Sequence, residues 1–196
     1  MNAQFFDRAR KGRLLGPTLT QSEVDGCTAI LVALEGLPLA HIAYGLATAY
    51  HETAHTMLPI KENGGPAYFF RMYDPHGNRP DVARRLGNTE PGDGCRYAGR
   101  GYVQLTGRAN YQRAQDALGQ PLVSNPDLAM DPTIAAKVMR QGMKAGWFTG
   151  KTFASYLPAT GAATMAQFMS ARRIINGADR CADIAAYAAE FQDYLA

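Results

Sequence analysis

The sequence predicts a mainly α-helical single domain, and three observations support this. Apolar residues recur at helical spacing over much of the chain. Capping signals and helix-stopping Gly and Pro residues bound those stretches. A length of 196 residues allows one hydrophobic core and is short for two independent domains. With 46% hydrophobic and 19% charged residues, the composition is that of an ordinary globular chain.

Helix signals follow one another along the chain. Thr20-Gln21-Ser22-Glu23 has the form of a capping box and opens an apolar stretch from Val24 to Leu34, which predicts a helix that closes at Gly36. A second helix is predicted from about Leu39 to Met57, because apolar residues recur there at helical spacing and Pro59 marks a stop. Further helices are predicted at about Arg108 to Leu118, from Asp131-Pro132 to near Gly146, from Thr164 to Ile175 and from Asp179 to Tyr194.

The segment from about residue 60 to 94 has turn chemistry in place of helical periodicity. Its turn signals are Glu62-Asn63-Gly64-Gly65-Pro66, Asp74-Pro75-His76-Gly77-Asn78 and Pro91-Gly92-Asp93-Gly94. This pattern predicts a loop-rich smaller lobe inserted into a helical larger lobe, within one domain over residues 1–196.

The charge balance argues against one class of partner. A net charge of +3 and a pI near 8.8 favour an anionic surface, but the Lys/Arg runs typical of a nucleic-acid binder are missing. The pairs Arg84-Arg85 and Arg172-Arg173 are interpreted as solvated helix faces. We therefore expect no nucleic-acid partner.

The cysteines and the first residues bear on redox state and location. Cys27, Cys95 and Cys181 are odd in number and form no CxxC pair, which argues against a disulfide framework and a structural zinc site. The first fifteen residues contain no apolar stretch of signal-peptide type, and no later stretch reaches the length of a membrane span. We expect a protein without cofactor or membrane insertion that accumulates in the cytoplasm.

The pentapeptide His51-Glu52-Thr53-Ala54-His55 matches H-E-x-x-H, in which two histidines one helical turn apart bind zinc and the glutamate acts as a base. A zinc site needs a third protein ligand, and the extended metzincin pattern does not follow, since Pro59 ends the helix. Glu90 is a distant candidate that no motif supports. A zinc peptidase is therefore a rival hypothesis.

Glu52 also fits a second chemistry. On a helical wheel it lies beside the buried stripe and shares that flank with Gly45 and Thr48, whose small size predicts a groove next to the carboxylate. Partial burial favours the protonated form, which is what glycosidic cleavage requires of a general acid. A half-buried carboxylate paired with an arginine is the third interpretation, and the pentapeptide alone leaves all three open.

The segment from Arg96 to Tyr111, RYAGRGYVQLTGRANY, is rich in glycine, which allows close approach of the backbone. Alternation over Tyr102 to Thr106 predicts a short extended segment in which Gln104 and Thr106 project the same way. An amide and a hydroxyl side by side suit sugar hydroxyls, N-acetyl groups or an attacking water.

These motifs together resemble glycoside hydrolase family 19, specifically its short phage endolysin and prophage chitinase-like branch. The resemblance runs from about Ala43 to the C-terminus. Four motifs occur in the family's order, a combination that chance does not readily produce: Ala-Thr-Ala-Tyr-His-Glu-Thr-Ala, Gly-Arg-Gly-Tyr-Val-Gln-Leu-Thr-Gly-Arg, Asn125-Pro126-Asp127-Leu128 and Ile-Ile-Asn-Gly.

The resemblance implies a lysozyme-like α fold with two lobes flanking a substrate cleft, and Glu52 as the general acid. It places Thr106 where the family has a Ser or Thr that holds the attacking water. Gln104 and Asn176 match its substrate-binding amides. Tyr111 falls in the Asn-Tyr ending of the motif and is either a substrate contact or a packing residue.

Glu62 is the candidate for the second carboxylate. Plant members carry this residue some two dozen positions after the acid, whereas Glu62 follows Glu52 by ten, as in the phage-like branch. Five helical residues advance about 7.5 Å, and five extended ones span up to roughly 17 Å, so the chain can turn back. Resemblance implies inversion, which needs carboxyl groups about 6.5–9.5 Å apart. The alternative for Glu62 is a solvated loop carboxylate beside Lys61.

Tyr97 and Tyr102 flank the Gly-Arg-Gly turn and are predicted as platforms on which sugar rings stack. Arg100, in the same turn, is a further substrate-binding candidate. For Trp147-Phe148, core packing is favoured over a platform role.

The leading hypothesis is an endolysin-type muramidase that cuts β-1,4 bonds between N-acetylmuramic acid and N-acetylglucosamine in peptidoglycan. Chitin oligosaccharides are the alternative substrate. Under this hypothesis the protein is a monomer that accumulates in the host cytoplasm and needs another factor to reach the cell wall. A binding protein that keeps the cleft without turnover is a third class.

Overall fold

The computed structural model describes residues 2–196 and is mainly α-helical, as the sequence predicts. In chain order, the helices and strands are α1 (Asn2–Ala9), α2 (Gln21–Ala33), α3 (Leu39–Glu52), β1 (Ile60–Lys61), α4 (Pro66–Tyr73), α5 (Pro80–Leu86), α6 (Asp93–Arg96), β2 (Arg100–Gly101), α7 (Arg108–Leu118), α8 (Pro132–Ala145), α9 (Met165–Ala171) and α10 (Cys181–Leu195). Short 3₁₀ helices cover Pro126–Met130, Phe153–Ser155 and Arg172–Ile174. No helix in the described part of the chain combines the length and apolar character needed to cross a bilayer.

The chain divides into two compact units. The first unit contains the described residues up to Leu58 together with Met139–Ala196, and the second unit is Pro59–Val138. The division falls inside α8. The second unit is thus considerably longer than the lobe predicted at about residues 60–94.

Several helix ends agree with their sequence signals. Thr20 and Glu23 form the predicted capping box, in which Thr20 Oγ1 accepts from Glu23 N at 3.2 Å and Thr20 N donates to Glu23 Oε2 at 2.7 Å. Asp131 Oδ1 accepts from two backbone N–H groups at the start of α8. Because these caps satisfy N–H groups that the first turn leaves unpaired, they define where the helices begin.

Helix α3 is the centre of the first unit. Every residue from Ala40 to Tyr50 is buried, so the helix is enclosed on all sides instead of presenting the predicted stripe. α10 packs along it, and α1 in turn packs on α10, with the rings of Phe5 and Phe191 stacked at 6.3 Å.

Helix α3 ends at Glu52, five residues before the predicted end at Met57. Ala54, His55 and Met57 adopt left-handed backbone conformations, with φ of 49°, 71° and 58°. Such angles are costly for residues with a side chain. Thr53 holds this turn together, because its hydroxyl donates to Ala49 O at 2.8 Å and accepts from Met57 N at 3.0 Å.

Gly26 in α2 allows the turn after α3 to pack closely against α2. A Cβ at position 26 would lie 2.1 Å from the carbonyl oxygen of Met57. The absence of a side chain at position 26 is therefore a condition for the path that the chain takes after Glu52.

We predict that Gly26→Ala destabilises the protein. Alanine in a helix interior normally gains up to about 1 kcal/mol over glycine, but here the methyl group collides with backbone, and overpacking of this kind costs about 1–3 kcal/mol. Denaturant unfolding measures the change. Val32→Ala, at a 60% exposed position of the same helix, is the control and should change stability little. An unfolding free energy for Gly26→Ala equal to or above the wild-type value would contradict the prediction.

The segment predicted as loops contains three short helices, α4, α5 and α6, so that prediction is wrong in part. Pro66 and Pro80 occupy the first position of α4 and α5, where the missing N–H of proline costs nothing. Helices of four to eight residues are too short to show a clear helical period in the sequence.

Asp93 ties the loop before α6 to the start of α7 within the second unit. Its carboxylate accepts from Arg108 Nε at 2.7 Å and from the backbone N–H groups of Thr89 and Glu90. Burial acts to raise the pKa of Asp93, but Arg108 and these N–H groups outweigh it, and the pKa is lowered. Folding and the ionisation of Asp93 are therefore coupled.

We predict an acid-dependent loss of stability that arises at Asp93. A lowered folded-state pKa gives stability that is present above the unfolded aspartate pKa of about 3.9 and is lost as the pH falls below it toward the folded value. Urea unfolding at pH 6 and pH 3 should show a smaller difference for Asp93→Asn than for the wild type. Equal differences in the two proteins would show that Asp93 is not the group responsible.

Candidate functional site

Glu52 is the last residue of α3, and its side chain is 20% exposed. Its Oε1 accepts from Arg172 Nη1 at 2.7 Å, and the Arg172 side chain is only 3% exposed. Arg172 also donates from Nε to Asp179 O at 3.0 Å. Of the three interpretations of the pentapeptide, the half-buried carboxylate paired with an arginine describes this geometry. The prediction that Arg172 lies on a solvated face is wrong, because its charge is buried against Glu52.

The groove predicted beside Glu52 is not formed where the sequence placed it. A Cβ at Gly45 would lie 2.5 Å from Leu34 Cδ1, so a neighbouring side chain already fills that space. Thr48 is fully buried. The sequence-predicted open space beside Gly45 and Thr48 is therefore filled by protein atoms.

The two histidines of the pentapeptide do not form the face that a zinc site requires. α3 ends at Glu52, and the left-handed conformation of His55 removes it from the helical register of His51. The His55 ring stacks on Tyr50 at 4.3 Å, and its Nε2 lies 3.4 Å from Tyr187 Oη. Burial is the main reason that the pKa of His51 is lowered. Within residues 2–196, no group of three His, Cys, Asp or Glu side chains is placed to hold a metal ion.

Asn176 lies in the same unit as Glu52, four residues after Arg172. Its backbone N–H donates to Arg172 O at 3.0 Å, which ties the loop to the arginine that contacts Glu52. The residue is exposed, so its side-chain amide is accessible to a ligand.

Glu62 follows β1 in the second unit and is fixed by the strand pairing. β1 and β2 pair antiparallel, with Ile60 opposite Gly101, and this pairing continues to Glu62, whose N–H donates to Gly99 O at 2.8 Å. Glu62 Oε2 accepts from Gly99 N at 3.2 Å. At the other oxygen, Oε1 accepts from Tyr73 Oη at 2.7 Å and from Tyr68 Oη at 3.4 Å. The solvated loop carboxylate considered for Glu62 does not describe this environment, because the group is half-buried and bonded at both oxygens.

Gln104 and Thr106 converge with Glu62 on one point. A Cβ at Gly99 would lie 2.8 Å from Gln104 Oε1 and 3.1 Å from both Glu62 Oε2 and Thr106 Oγ1. The Thr106 hydroxyl donates to Gln104 O at 2.8 Å, which leaves its oxygen as an acceptor. We call this set of Glu62, Gln104 and Thr106 around Gly99 the oxygen cluster. A water molecule can donate one hydrogen to the carboxylate and the other to one of the neutral oxygens, and the carboxylate can take a proton from it.

The backbone that builds the oxygen cluster differs from the prediction. Arg100 and Leu105 form an isolated bridge, and the residues between them make a tight turn in which Gln104 has a φ of 51°. The extended segment predicted over Tyr102 to Thr106 is therefore wrong. Gln104 and Thr106 face a common point because the turn reverses the chain.

Four predicted substrate-binding residues are core residues instead. Tyr97, Tyr102 and Tyr111 are at most 1% exposed, and Arg100 is 4% exposed, so none offers a surface to a sugar ring. Arg100 Nε donates to Asp127 at 2.8 Å, and Tyr97 Oη donates to Val123 O at 3.2 Å. The predictions for Tyr97, Tyr102 and Arg100 are wrong, and Tyr111 has the packing role that was its alternative.

The sequence did not single out Arg172, Tyr68 or Tyr73 as site residues. The one available signal for the tyrosines was the aromatic segment Tyr-Phe-Phe-Arg-Met-Tyr over residues 68–73, which lies close to Glu62 in the chain. Arg172 carried no such signal, because its partner lies 120 residues away.

A family model described as chitinase class I, that of glycoside hydrolase family 19, matches residues 39–183, which is more than half of the chain. The chain belongs to glycoside hydrolase family 19. The family predicted from the motifs is thereby confirmed, and the placement in its phage endolysin branch stays a prediction.

Relatives with similar sequences include plant proteins named as endochitinases. Acidic endochitinase Q of Nicotiana tabacum is 60% identical over 43 residues, which cover 21% of this chain and 17% of the relative. The endochitinase of Persea americana is 34% identical over 97 residues, covering 49% of this chain and 29% of the relative. The chain therefore matches less than a third of the length of these relatives.

Solved structures show the same fold. Chitinase C from Streptomyces griseus HUT6037 aligns with a TM-score of 0.65 at 23% identity, covering 100% of this chain and 76% of that one. A bacterial family 19 chitinase aligns with a TM-score of 0.56 at 22% identity and is covered over 94% of its length. The predicted lysozyme-like, mainly helical fold class is confirmed.

We predict that Gly99→Ala lowers glycosidase activity with little loss of stability. The added methyl group would lie against all three oxygens of the oxygen cluster and hinder a water from reaching them, and the Gln104 side chain that it meets first can move aside. We expect the rate to fall about tenfold or more, equivalent to about 1.4 kcal/mol in the barrier.

The measurements are hydrolysis rate and thermal midpoint, with Gly65→Ala as the matched control. Gly65 lies in the same unit, and a Cβ there would meet nothing within 4 Å. Wild-type turnover by Gly99→Ala would show that the point within the oxygen cluster is not used.

Proposed function

We propose that this chain hydrolyses β-1,4 bonds between N-acetylated amino sugars, with Glu52 as general acid and Glu62 as general base. The oxygen cluster carries the proposal: a carboxylate and two neutral oxygens converge on one point in a family 19 chain. In the hydrolysis, the acid gives a proton to the departing glycosidic oxygen, and the base takes one from the attacking water. An inverting outcome follows when a water stands between the reacting sugar and the base.

The ion pair of Glu52 constrains how the acid works. Arg172 binds Oε1, so the proton that Glu52 delivers belongs on the other oxygen, Oε2. A protonated carboxyl group can still accept from Arg172 through its carbonyl oxygen. Arg172 then fixes the direction in which the proton points, and the resting ion pair does not exclude the acid role.

Chitin is the polymer that we propose first. The matching family model is described as chitinase class I, and the relatives and structures named above are chitinases by name. Chitin is a chain of N-acetylglucosamine units, so one type of bond recurs along it. The amide of Gln104 and that of Asn176 are chemically suited to N-acetyl groups.

Peptidoglycan, the substrate expected from the sequence, is the second candidate because of charge. The net charge is +3, and Arg8, Arg10, Lys11 and Arg13 form an exposed basic segment at the start of the chain. Such a segment suits the anionic bacterial cell wall. A bacteriolytic role of the endolysin type belongs to this second candidate.

The test is hydrolysis of both polymers by the same preparation. Purified protein is incubated with N-acetylglucosamine oligomers, chitin and bacterial sacculi, and the products are identified by mass spectrometry. We expect chito-oligosaccharides to be cut within the glycan chain. Release of muramyl disaccharides with intact chitin would favour the second candidate, and cleavage of stem peptides alone would overturn the glycosidase proposal.

We predict that Glu52→Gln and Glu62→Gln each lower the rate at least about 100-fold, because general acid–base catalysis contributes about 100- to 10,000-fold. The anomeric form of the first product, followed by NMR, reports inversion or retention. Glu35→Gln, at an exposed position of the first unit, is the matched control and should act as the wild type. Full activity in Glu62→Gln would remove Glu62 from the base role.

A chelator separates this proposal from the zinc peptidase hypothesis. A glycosidase that works through two carboxylates should keep its rate in EDTA, whereas a zinc enzyme loses its nucleophile. Metal analysis after dialysis accompanies the assay. Stoichiometric zinc together with EDTA-sensitive activity would favour the peptidase.

A further inference from the structure

We propose that Tyr73 is a positioning residue for Glu62, with Tyr68 in a weaker supporting role. The two phenols hold one oxygen of the carboxylate, so that the other is directed into the oxygen cluster. This inference rests on the proposed function, since it assigns a role within the base half of that mechanism.

The two oxygens of the Glu62 carboxylate have different hydrogen-bond partners. Glu62 Oε1 accepts from Tyr73 Oη at 2.7 Å, and Tyr68 Oη lies farther away at 3.4 Å. Glu62 Oε2 accepts from Gly99 N at 3.2 Å and lies on the side of Gln104 and Thr106. Rotation of the carboxyl group would break all of these bonds together. The oxygen that receives the proton from water is therefore Oε2.

Tyr73 is itself held in place. Its ring stacks on Phe69, which is buried, with centroids 6.4 Å apart and planes 18° from parallel. Its carbonyl oxygen accepts from Asn88 Nδ2 at 2.8 Å, at the end of α4. A hydroxyl fixed from both the ring and the backbone can orient a carboxylate, because it loses little freedom when the bond forms.

The phenol remains a donor over the range in which the base works. Burial, followed by the hydrogen bond to Glu62, raises the pKa of Tyr73. The hydroxyl proton therefore stays on Tyr73 at neutral pH. A phenol O–H bound to a carboxylate is a charge-assisted hydrogen bond, which is about twice as strong as a neutral one.

The test compares Tyr73→Phe with Tyr68→Phe, since each variant removes a hydroxyl and keeps the ring. For Tyr73→Phe we expect kcat to fall about tenfold with KM within about twofold of the wild-type value, because the loss affects the chemical step. The acid limb of the pH–kcat profile should move to higher pH, since the ionised carboxylate loses a donor. Tyr68→Phe should show the same changes, but smaller. Tyr156→Phe, in the first unit, is the matched control.

Two further measurements separate positioning from a structural role. In the Glu62→Gln background, Tyr73→Phe should cause no further loss of kcat, because the phenol acts through the carboxylate. In the ¹³C NMR spectrum of the carboxyl carbons, with the Glu62 signal assigned from Glu62→Gln, the titration midpoint of Glu62 should rise in Tyr73→Phe. The NMR measurement does not depend on any activity.

The outcomes are distinct. A fall in thermal midpoint with an unchanged pH profile and an unchanged Glu62 titration would overturn the inference and leave a packing role for Tyr73. An equal loss from Tyr73→Phe in the wild-type and Glu62→Gln backgrounds would overturn it as well. Failure of the proposed function has a different signature: the wild type cuts neither polymer, or Glu62→Gln retains full rate.

Discussion

A helix that is buried on every side has to end before it can present a charged side chain to water, and α3 follows this constraint. Its residues from Ala40 to Tyr50 have no exposed face, so Glu52 is a place where a carboxylate can emerge without a large desolvation cost. The strained turn after Glu52, held by Thr53 and by the close approach to Gly26, ends the helix there. The position of Glu52 thus follows from the place where the buried helix α3 ends.

The buried charge of Arg172 also depends on Glu52. A buried guanidinium needs a partner, because an isolated charge in the interior is strongly destabilising. Glu52 and the carbonyl of Asp179 supply that partner, and Tyr44 donates to Ala171 O next to it in the chain. The contact that stabilises the arginine also orients the carboxylate. In the first unit, the same contact therefore stabilises the buried arginine and would orient Glu52 in the proposed acid role.

The second unit orients its carboxylate without a cation. Glu62 is held by a backbone N–H and by two phenols, which satisfy its oxygens without adding a formal charge. Hydrogen bonds from neutral donors to an ionised carboxylate are charge-assisted and therefore fix its orientation. The two carboxylates thus have partners of different kinds, a buried arginine for Glu52 and neutral donors for Glu62.

Local signals in the sequence predicted local structure well. α7 begins and ends at the predicted residues, the Thr20 capping box is formed, and Asp131 caps α8. The motifs also identified the family, because the combination of residue types is specific. The residues that were misjudged depend on distant partners. The buried hydroxyl of Tyr97 binds a carbonyl 26 residues away, and the buried guanidinium of Arg172 binds a carboxylate 120 residues away. A local sequence pattern does not reveal partners that are so far apart in the chain.

The same limit applies to the choice of polymer. Chitin and peptidoglycan share the β-1,4 bond and the N-acetyl group, so the proposed acid, base and amides would act on what the two polymers have in common. They differ in the lactyl group and the peptide that peptidoglycan carries on alternate sugars, which add bulk and negative charge. The exposed basic segment near the N-terminus acts through long-range attraction, which salt screens beyond about 8 Å at physiological ionic strength. Such attraction raises the rate of encounter without changing the bond that is cut. If the proposed site binds either polymer, the shape of the surface around it must therefore decide between them, and the net charge of the chain carries little weight in that decision.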